Sequence, residues 1–240
     1  METHPANKLT KRDGITFRQA LQPQATKSIQ VVGQDLILHG CHGVFWEQGH
    51  TLFVADTHFG KDHVFRHAGI PVPHAVSEGT LARLDAMLDD FKPQRLIILG
   101  DVQHAPLAVE GPIMRALRLW RRKYRDLNVA AVIGNHDCSV ETLLEDLDIR
   151  SLGHSASFPP FELQHHPTPC ADRFVLAGHV HPVFRLADFG VVGMRMPCFY
   201  LQEGVLTLPA VGAFTGGHAV QPTAGEEVFV CQDGCVVGLR

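Results

Sequence analysis

The hydrophobic pattern changes character several times along the chain. Residues 1–28 are polar, rich in Gln, Lys, Pro and Thr, with no sustained period; they read as an N-terminal arm. From Ile29 the pattern becomes structural. Ile29, Val31 and Val32, then Leu36, Ile37 and Leu38, flank Gly33-Gln34-Asp35 and predict a hairpin. Residues 51–55 form a short unbroken apolar run, the mark of a strand buried on both faces. Ser77 is placed to cap a helix that carries Leu81, Leu84, Leu88 and Phe91 at helical spacing and stops at Lys92-Pro93. A second buried strand is predicted over 95–99 and a third over 129–133. Between them, a helix over 110–124 sets Met114, Leu117, Trp120 and Tyr124 on one stripe and Arg115, Arg118, Arg122 and Arg125 on the opposite one. That is the ordinary design of a surface helix. A short helix over 140–147 follows.

The second half turns to strands, near 161–164, 173–177, 183–186, 197–201, 205–208, 228–231 and 236–239, joined by Gly-rich turns. A β-α-β-α-β start with a strand-rich finish predicts one α/β domain over residues 29–240, its sheets covered by helices.

Composition narrows the classes. With 45% apolar and 19% charged residues the chain is globular rather than disordered or fibrous. A formal net charge of −4 excludes a basic nucleic-acid coat, so any bound polyanion needs a local positive field. No apolar run approaches the ~18 residues of a membrane span. The N-terminus lacks the apolar core of a secretory signal, so no membrane partner and a cytoplasmic location are expected. Of the six cysteines only Cys231 and Cys235 lie close, without the further ligands of a zinc knuckle; reduced, mostly buried thiols are expected.

Candidate chemistry comes from histidine. The chain has 16, and several stand directly after apolar strands. The run 51–55 ends in Asp56-Thr57-His58, 95–99 in Gly100-Asp101, and 129–133 in Gly134-Asn135-His136-Asp137. The run 161–164 ends in His165-His166, and 173–177 in Gly178-His179-Val180-His181. In open α/β folds ligands gather at the carboxyl ends of strands. Taken singly, each cluster has a bland reading as a turn or a surface histidine. Five in succession argue for one convergent site of N and O donors without thiolate, a set suited to Mn²⁺, Fe²⁺ or Zn²⁺.

The series D-x-H, G-D, G-N-H-D, H and G-H-x-H resembles the calcineurin-like binuclear metallophosphoesterase superfamily. HFGK at 58–61, FRHAGIPVP at 65–73, HHP at 165–167, GHVHP at 178–182 and GAFTGGHAV at 212–220 resemble its DNA ligase-associated group. Members of that group are bacterial manganese-dependent endonucleases placed with a ligase, a helicase and an exonuclease in DNA repair. The resemblance spans about 36–238 and leaves the arm outside. It implies a metallophosphoesterase-type sandwich, two packed mixed β-sheets flanked by helices. It also implies two divalent ions, Mn²⁺ first and Fe²⁺ or Zn²⁺ as alternates. Asp56, His58, Asp101 and His181 would hold one; Asp101, Asn135, His165 and His179 would hold the other, with Asp101 as the bridge.

The implied reaction is attack of a metal-bridging hydroxide on phosphorus, with His136 as general acid. Asp137 either orients His136 or caps the following helix. Lys61 and Arg66 are candidates for a flanking phosphate, His104 for the pocket and His218 for the substrate groove. Phe214 could stack a base, although a buried ring is the commoner fate. His39, His42, His50, His63, His67, His74, His154 and His166 are read as surface or structural. The expected substrate is DNA, single-stranded or flap-like. A small-molecule phosphodiesterase, a phosphomonoesterase or a non-catalytic scaffold are the other functions the fold would serve.

Overall fold

The computed structural model describes residues 24–67, 69, 76–185 and 193–239; of Arg66, His67 and Val76 it describes the backbone alone. The first sheet runs, in spatial and chain order, β1 (Thr26–Val31), β2 (Gln34–His39), β3 (Gly43–Trp46), β4 (Thr51–Val54), β5 (Arg95–Leu99), β6 (Asn128–Val132) and β7 (Arg150–Ser151). The first four strands pair antiparallel and β4 to β7 pair parallel. Strand β1 begins before the expected end of the arm: Thr26 to Ser28 pair with His39 to Ile37, and Gln24 bridges to Val236. The crossovers contain α1 (Lys61–His67), α2 (Val76–Phe91), α3 (Pro112–Lys123) and α4 (Glu141–Asp146). Ser77 is not a cap; it lies within α2, and its hydroxyl donates to Asp62 Oδ1.

The second sheet is built from β8 (Ser155–Phe158), β9 (Phe161–Gln164), β10 (Phe174–Ala177), β11 (Pro182–Arg185), β12 (Arg195–Gln202), β13 (Val205–Thr207), β14 (His218–Ala219), β15 (Glu227–Gln232) and β16 (Cys235–Leu239). Its order is β14-β11-β12-β13-β10-β9-β8, with β15 also on β12 and β16 on β15. Strands β9, β10 and β13 are mutually parallel, so β9 and β10 deliver their carboxyl ends to the same edge.

Alternation along the central strands explains their unbroken apolar character. Leu52, Val54, Leu96, Ile98, Val129 and Ala131 face α2, α3 and α4, where Leu84, Met87, Leu117 and Leu143 meet them. Phe53, Ala55, Ile97, Leu99 and Val132 face the other way, onto Phe161, Leu163, Leu176, Phe199 and Leu206 of the second sheet. Both faces are buried, so no polar position interrupts the run. Phe53, Phe161 and Phe199 are fully buried between the sheets, and removing such a ring typically costs ~3–5 kcal/mol.

The expected sandwich of two mixed sheets is therefore present. Among the described residues, α2, α3 and α4 all pack on the first sheet. Of the arginine stripe, Arg118 holds Asp146 at 2.7 Å and Arg125 lies 3.8 Å from Asp126, while neighbouring Arg121 holds Asp148 at 3.2 Å. All six cysteines are free, but only Cys198 and Cys231 are buried, and Cys138 and Cys170 are exposed. No helix among the described residues is long and apolar enough to cross a membrane.

Candidate metal centre

Past the carboxyl end of β4 the two sheets meet, where Ala55 bridges to Ala210 after β13. The backbone stays laced beyond the strands. Asp56 N donates to Gly100 O, His58 N to Asp101 O, and Gly212 N to Asp56 O. On the second sheet, Gly178 N donates to His165 O. With the His136 amide on Asp101 and the His179 amide on Asp56, these bonds bring the exits of β4, β5, β6, β9 and β10 to one place.

All seven expected metal ligands meet there. His58 Nε2 lies 3.2 Å from His181 Nε2 and 3.5 Å from Asp101 Oδ2, and His181 Nε2 lies 3.4 Å from Asp56 Oδ1. On the other side, His165 Nε2 lies 3.0 Å from Asn135 Oδ1, 3.1 Å from His179 Nδ1 and 3.4 Å from Asp101 Oδ1. Asp101 thus turns one oxygen toward each group. Asp56, Asp101, His58 and His165 are buried, whereas His179 and His181 are half-buried and Asn135 is exposed.

Hydrogen bonds to the far side of the rings fix which nitrogen faces inward. His165 Nδ1 donates to Leu99 O at 3.0 Å, and His181 Nδ1 donates to Thr215 O at 3.1 Å. Each then presents Nε2 as a lone pair. Behind His58, its Nδ1 is 3.4 Å from His104 Nδ1. The Thr57 hydroxyl points away and donates to Val102 O.

Electrostatics follow from burial and from the carboxylates. Burial, resisted by Asp101, holds the His58 imidazole far below its usual range. Burial also opposes ionisation of Asp101, but the neighbouring His165 and the hydrogen bond from the His136 amide outweigh it and hold the carboxyl below the ordinary range. For His165 burial is outweighed by Asp101 and Asp56, and its basicity rises. A buried nitrogen under that negative potential attracts a proton or a cation. Inward lone pairs, two carboxylates and an amide oxygen, all within cation-sharing distance, fit a pair of divalent ions. Three groupings each bring their ligand atoms within 4.8 Å of one another: Asp56 with His58 and His181, Asp56 with Asp101 and His165, and His165 with His166 and His179.

Space for this comes from small residues, and its backbone is strained. A Cβ on Gly178 would sit 2.6 Å from Asp56 Oδ2, and one on Gly134 would collide with the Asp101 carboxylate. Asp56, His58, Asp101, His179 and His181 all have φ between 43° and 69°. Such left-handed backbone costs on the order of 1–3 kcal/mol per residue and clusters at functional sites.

The remaining candidates separate. His136 is exposed; its amide donates to Asp101 Oδ1 and its ring stacks on His104 at 4.9 Å, 5.3 Å from the His58 ring. Asp137 neither caps α4 nor is bonded to the His136 ring. Its buried carboxylate accepts from Gly134 N at 2.8 Å and Gln103 N at 3.1 Å, which ties the exits of β5 and β6 together. Lys61 is half-buried; burial lowers its basicity, while Asp101 and Asp56 act on it in the opposite sense. The Arg66 side chain and most of the 65–73 block lie outside the described residues. His218 is exposed on β14, and its amide donates to the carbonyls of Val180 and His181. His166 is exposed beside His179, ring centroids 4.0 Å apart, and shares a grouping with His165 and His179; His165 is the buried member that also reaches Asn135 and Asp101.

The carbonyls of Leu99 and Thr215 carry no side-chain signal and are not legible in the sequence. Phe214 is 54% exposed rather than buried. His42 takes the structural course, buried and bonded through Nδ1 to Ala210 O at 2.7 Å.

Comparison with known proteins followed the same lines. The family model for calcineurin-like phosphoesterases matches residues 49–188, more than half of the chain. A nuclease of Pseudomonas putida, MPE, is 36% identical with a TM-score of 0.77, over 89% of this chain and 100% of its own. The phosphoesterase Yfce of E. coli is 17% identical with a TM-score of 0.41, over 76% of this chain and 88% of its own. No curated protein matches the sequence.

Proposed function

As the chain belongs to the calcineurin-like phosphoesterase family and is a metal-dependent phosphoester hydrolase, we propose that it is a binuclear phosphodiesterase cutting DNA. Single-stranded or flap-like DNA is the substrate, endonucleolytic cleavage in bacterial DNA repair the role, and a ligase, helicase and exonuclease the partners. The cytoplasm is its place of action. Asp101 is the observation that carries this reading: its two oxygens face two separate donor groups, as a bridging ligand requires. Asp56, His58 and His181 complete one group, and Asn135, His165 and His179 complete the other. The all-N,O donor set favours Mn²⁺, with Fe²⁺ or Zn²⁺ as alternates.

When bound, the ions supply Lewis-acid charge and an acidified water at the phosphoryl group. His136 stands outside the donor groups with an exposed ring. It gives its proton to the leaving oxygen, a role typically worth ~10²–10⁴-fold. His104 stacks against that ring and backs His58, so it positions both. Asp137 holds the backbone that presents Asn135 and His136. Lys61 supplies positive charge for a phosphate oxygen. Nuclease action draws its support from the Pseudomonas putida relative.

The test uses Mn²⁺-loaded protein with bis-p-nitrophenyl phosphate, p-nitrophenyl phosphate and circular single-stranded DNA. Cleavage of the diester and of DNA, both lost in His136→Ala and Asp101→Ala, supports the proposal. Monoester hydrolysis alone indicates a phosphomonoesterase, diester hydrolysis without DNA cleavage a small-molecule phosphodiesterase, and silence on all three a scaffold. Metal analysis should show close to two ions per chain.

A further inference from the structure

Beside the centre, a cavity of about 220 Å³ is lined by His181, Thr215, Phe214, His42 and Arg83. A second, of about 400 Å³, is lined by Arg83, His42, Cys41, Arg195 and Asp233. The two share His42, Arg83 and Pro197, so they form one trough that starts at the metal centre and runs outward. Its near wall is the loop whose Thr215 carbonyl holds His181.

Two arginines give the trough its charge. Arg83, half-buried on α2, donates from one guanidinium nitrogen to Val211 O at 2.8 Å and makes no ion pair among the described residues. A guanidinium has five donors in a planar fork, which leaves Arg83 several to offer. Arg83 lines both cavities, so its charge is available to an anion lying in the trough. Arg195, exposed further along, donates to Gly217 O. Phe214 stands at the rim with more than half its surface in solvent, held in left-handed backbone at φ 57°. A large exposed apolar ring beside a cationic groove is the arrangement that stacks an unpaired base above its phosphates. Asp233 also lines the outer cavity and sets one carboxylate beside these cations.

We infer that this trough is the path of the DNA strand flanking the scissile phosphate, with Arg83 and Arg195 on its phosphates and Phe214 stacked on a base. The inference rests on the nuclease reading and adds to it the residues that hold the strand beyond the scissile phosphate. It gives a chain of net negative charge a local cationic surface outside the metal centre.

The test is binding of a fluorescein-labelled dT12 oligonucleotide by the full chain in EDTA, followed by anisotropy over a salt series. Arg83→Gln should weaken binding about tenfold and flatten the log K against log salt slope by about 0.7, the value of one single-strand phosphate contact. Arg83→Lys should keep the slope. Phe214→Ala should weaken binding about tenfold at unchanged slope. Arg115→Gln, on the outer stripe of α3, should stay within twofold. If Arg83→Gln fails to fold, Arg195→Gln and Phe214→Ala decide. The inference is overturned if those variants bind like wild type, if Arg115→Gln costs as much, or if wild type does not bind. With Mn²⁺ added, loss of DNA cleavage in Arg83→Gln should exceed any loss on bis-p-nitrophenyl phosphate about tenfold; equal losses overturn it. The nuclease reading fails separately, if wild type binds the oligonucleotide and hydrolyses the small diester yet leaves circular DNA intact.

Discussion

Gly178 is the residue at which the smallest change should do the most damage to the centre. It follows β10 directly and lies under the Asp56 carboxylate. An alanine methyl there would stand 2.6 Å from Asp56 Oδ2 and 2.7 Å from Ala55 Cβ. Ala55 cannot retreat, because it is fully buried and its carbonyl accepts from Val211 N at 2.9 Å. Restoring an ordinary 3.4 Å contact to the carboxylate requires about 0.8 Å of movement by Asp56 or by the β10 exit. Either movement breaks the bonds from His179 N to the Asp56 oxygens, now 3.0 and 3.2 Å, and separates donors that must act together. A misplacement of about 1 Å costs on the order of 10²-fold in rate. Gly178→Ala should therefore lose ~30–100-fold in kcat/KM on bis-p-nitrophenyl phosphate and bind Mn²⁺ more weakly by calorimetry. Overpacking should cost only ~1–3 kcal/mol of stability, so the protein stays folded at 25 °C. A folded Gly178→Ala protein with wild-type Mn²⁺ binding and kcat/KM within threefold would refute the claim that Asp56 and the β10 exit are held to sub-ångström tolerance.

Two further outcomes test other parts of the structure. Gly79→Ala places a methyl in open solvent on α2, with nothing within 4 Å, so it should raise stability by about 0.5–1 kcal/mol in urea unfolding and leave kcat unchanged; a destabilised variant would refute a helical, solvent-facing Gly79. Burial and the neighbouring Arg83 lower the His42 pKa from 6.5 to about 4, so between those values the unfolded chain holds a proton that the native one does not. Stability from this residue is present above pH 6.5 and lost as pH falls toward 4, about 2–3 kcal/mol by pH 4.5. His42→Gln should flatten the stability difference between pH 7 and 4.5 by that amount, and an unchanged pH dependence would refute the assignment.

Much of this was legible because apolar strands and polar exits are both local signals. The runs 51–55, 95–99 and 129–133 are continuous because Leu52 and Phe53, or Leu96 and Ile97, bury opposite faces, one on helices and one on the second sheet. Strand β3 was missed because Gly43–Trp46 is four residues long and opens on glycine, and its identity is set by pairing with β2 and β4. The role of Asp137 was missed for a related reason. Its partners, the amides of Gly134 and Gln103, are anonymous in a sequence, so a buried loop-tying carboxylate looks the same as a helix cap.

The donor residues themselves show why a ligand set can be read when its geometry cannot. Five of the seven sit at positive φ, where aspartate and histidine are tolerated better than branched residues. That strain persists only because the parallel strands beneath it are buried on both faces and laced to one another past their ends. The sequence records the residue types such positions accept and the glycines that make room for them. Which oxygen of Asp101 turns to which histidine is decided by a different kind of information, the carbonyls of Leu99 and Thr215 behind His165 and His181 and the amide of His136 on Asp101 Oδ1. Those groups are backbone, identical at every residue, and acquire meaning only when two sheets close on one another. A substitution that keeps all seven donors but shifts the contact between the sheets at Ala55 and Ala210 should therefore impair the centre as severely as loss of a donor.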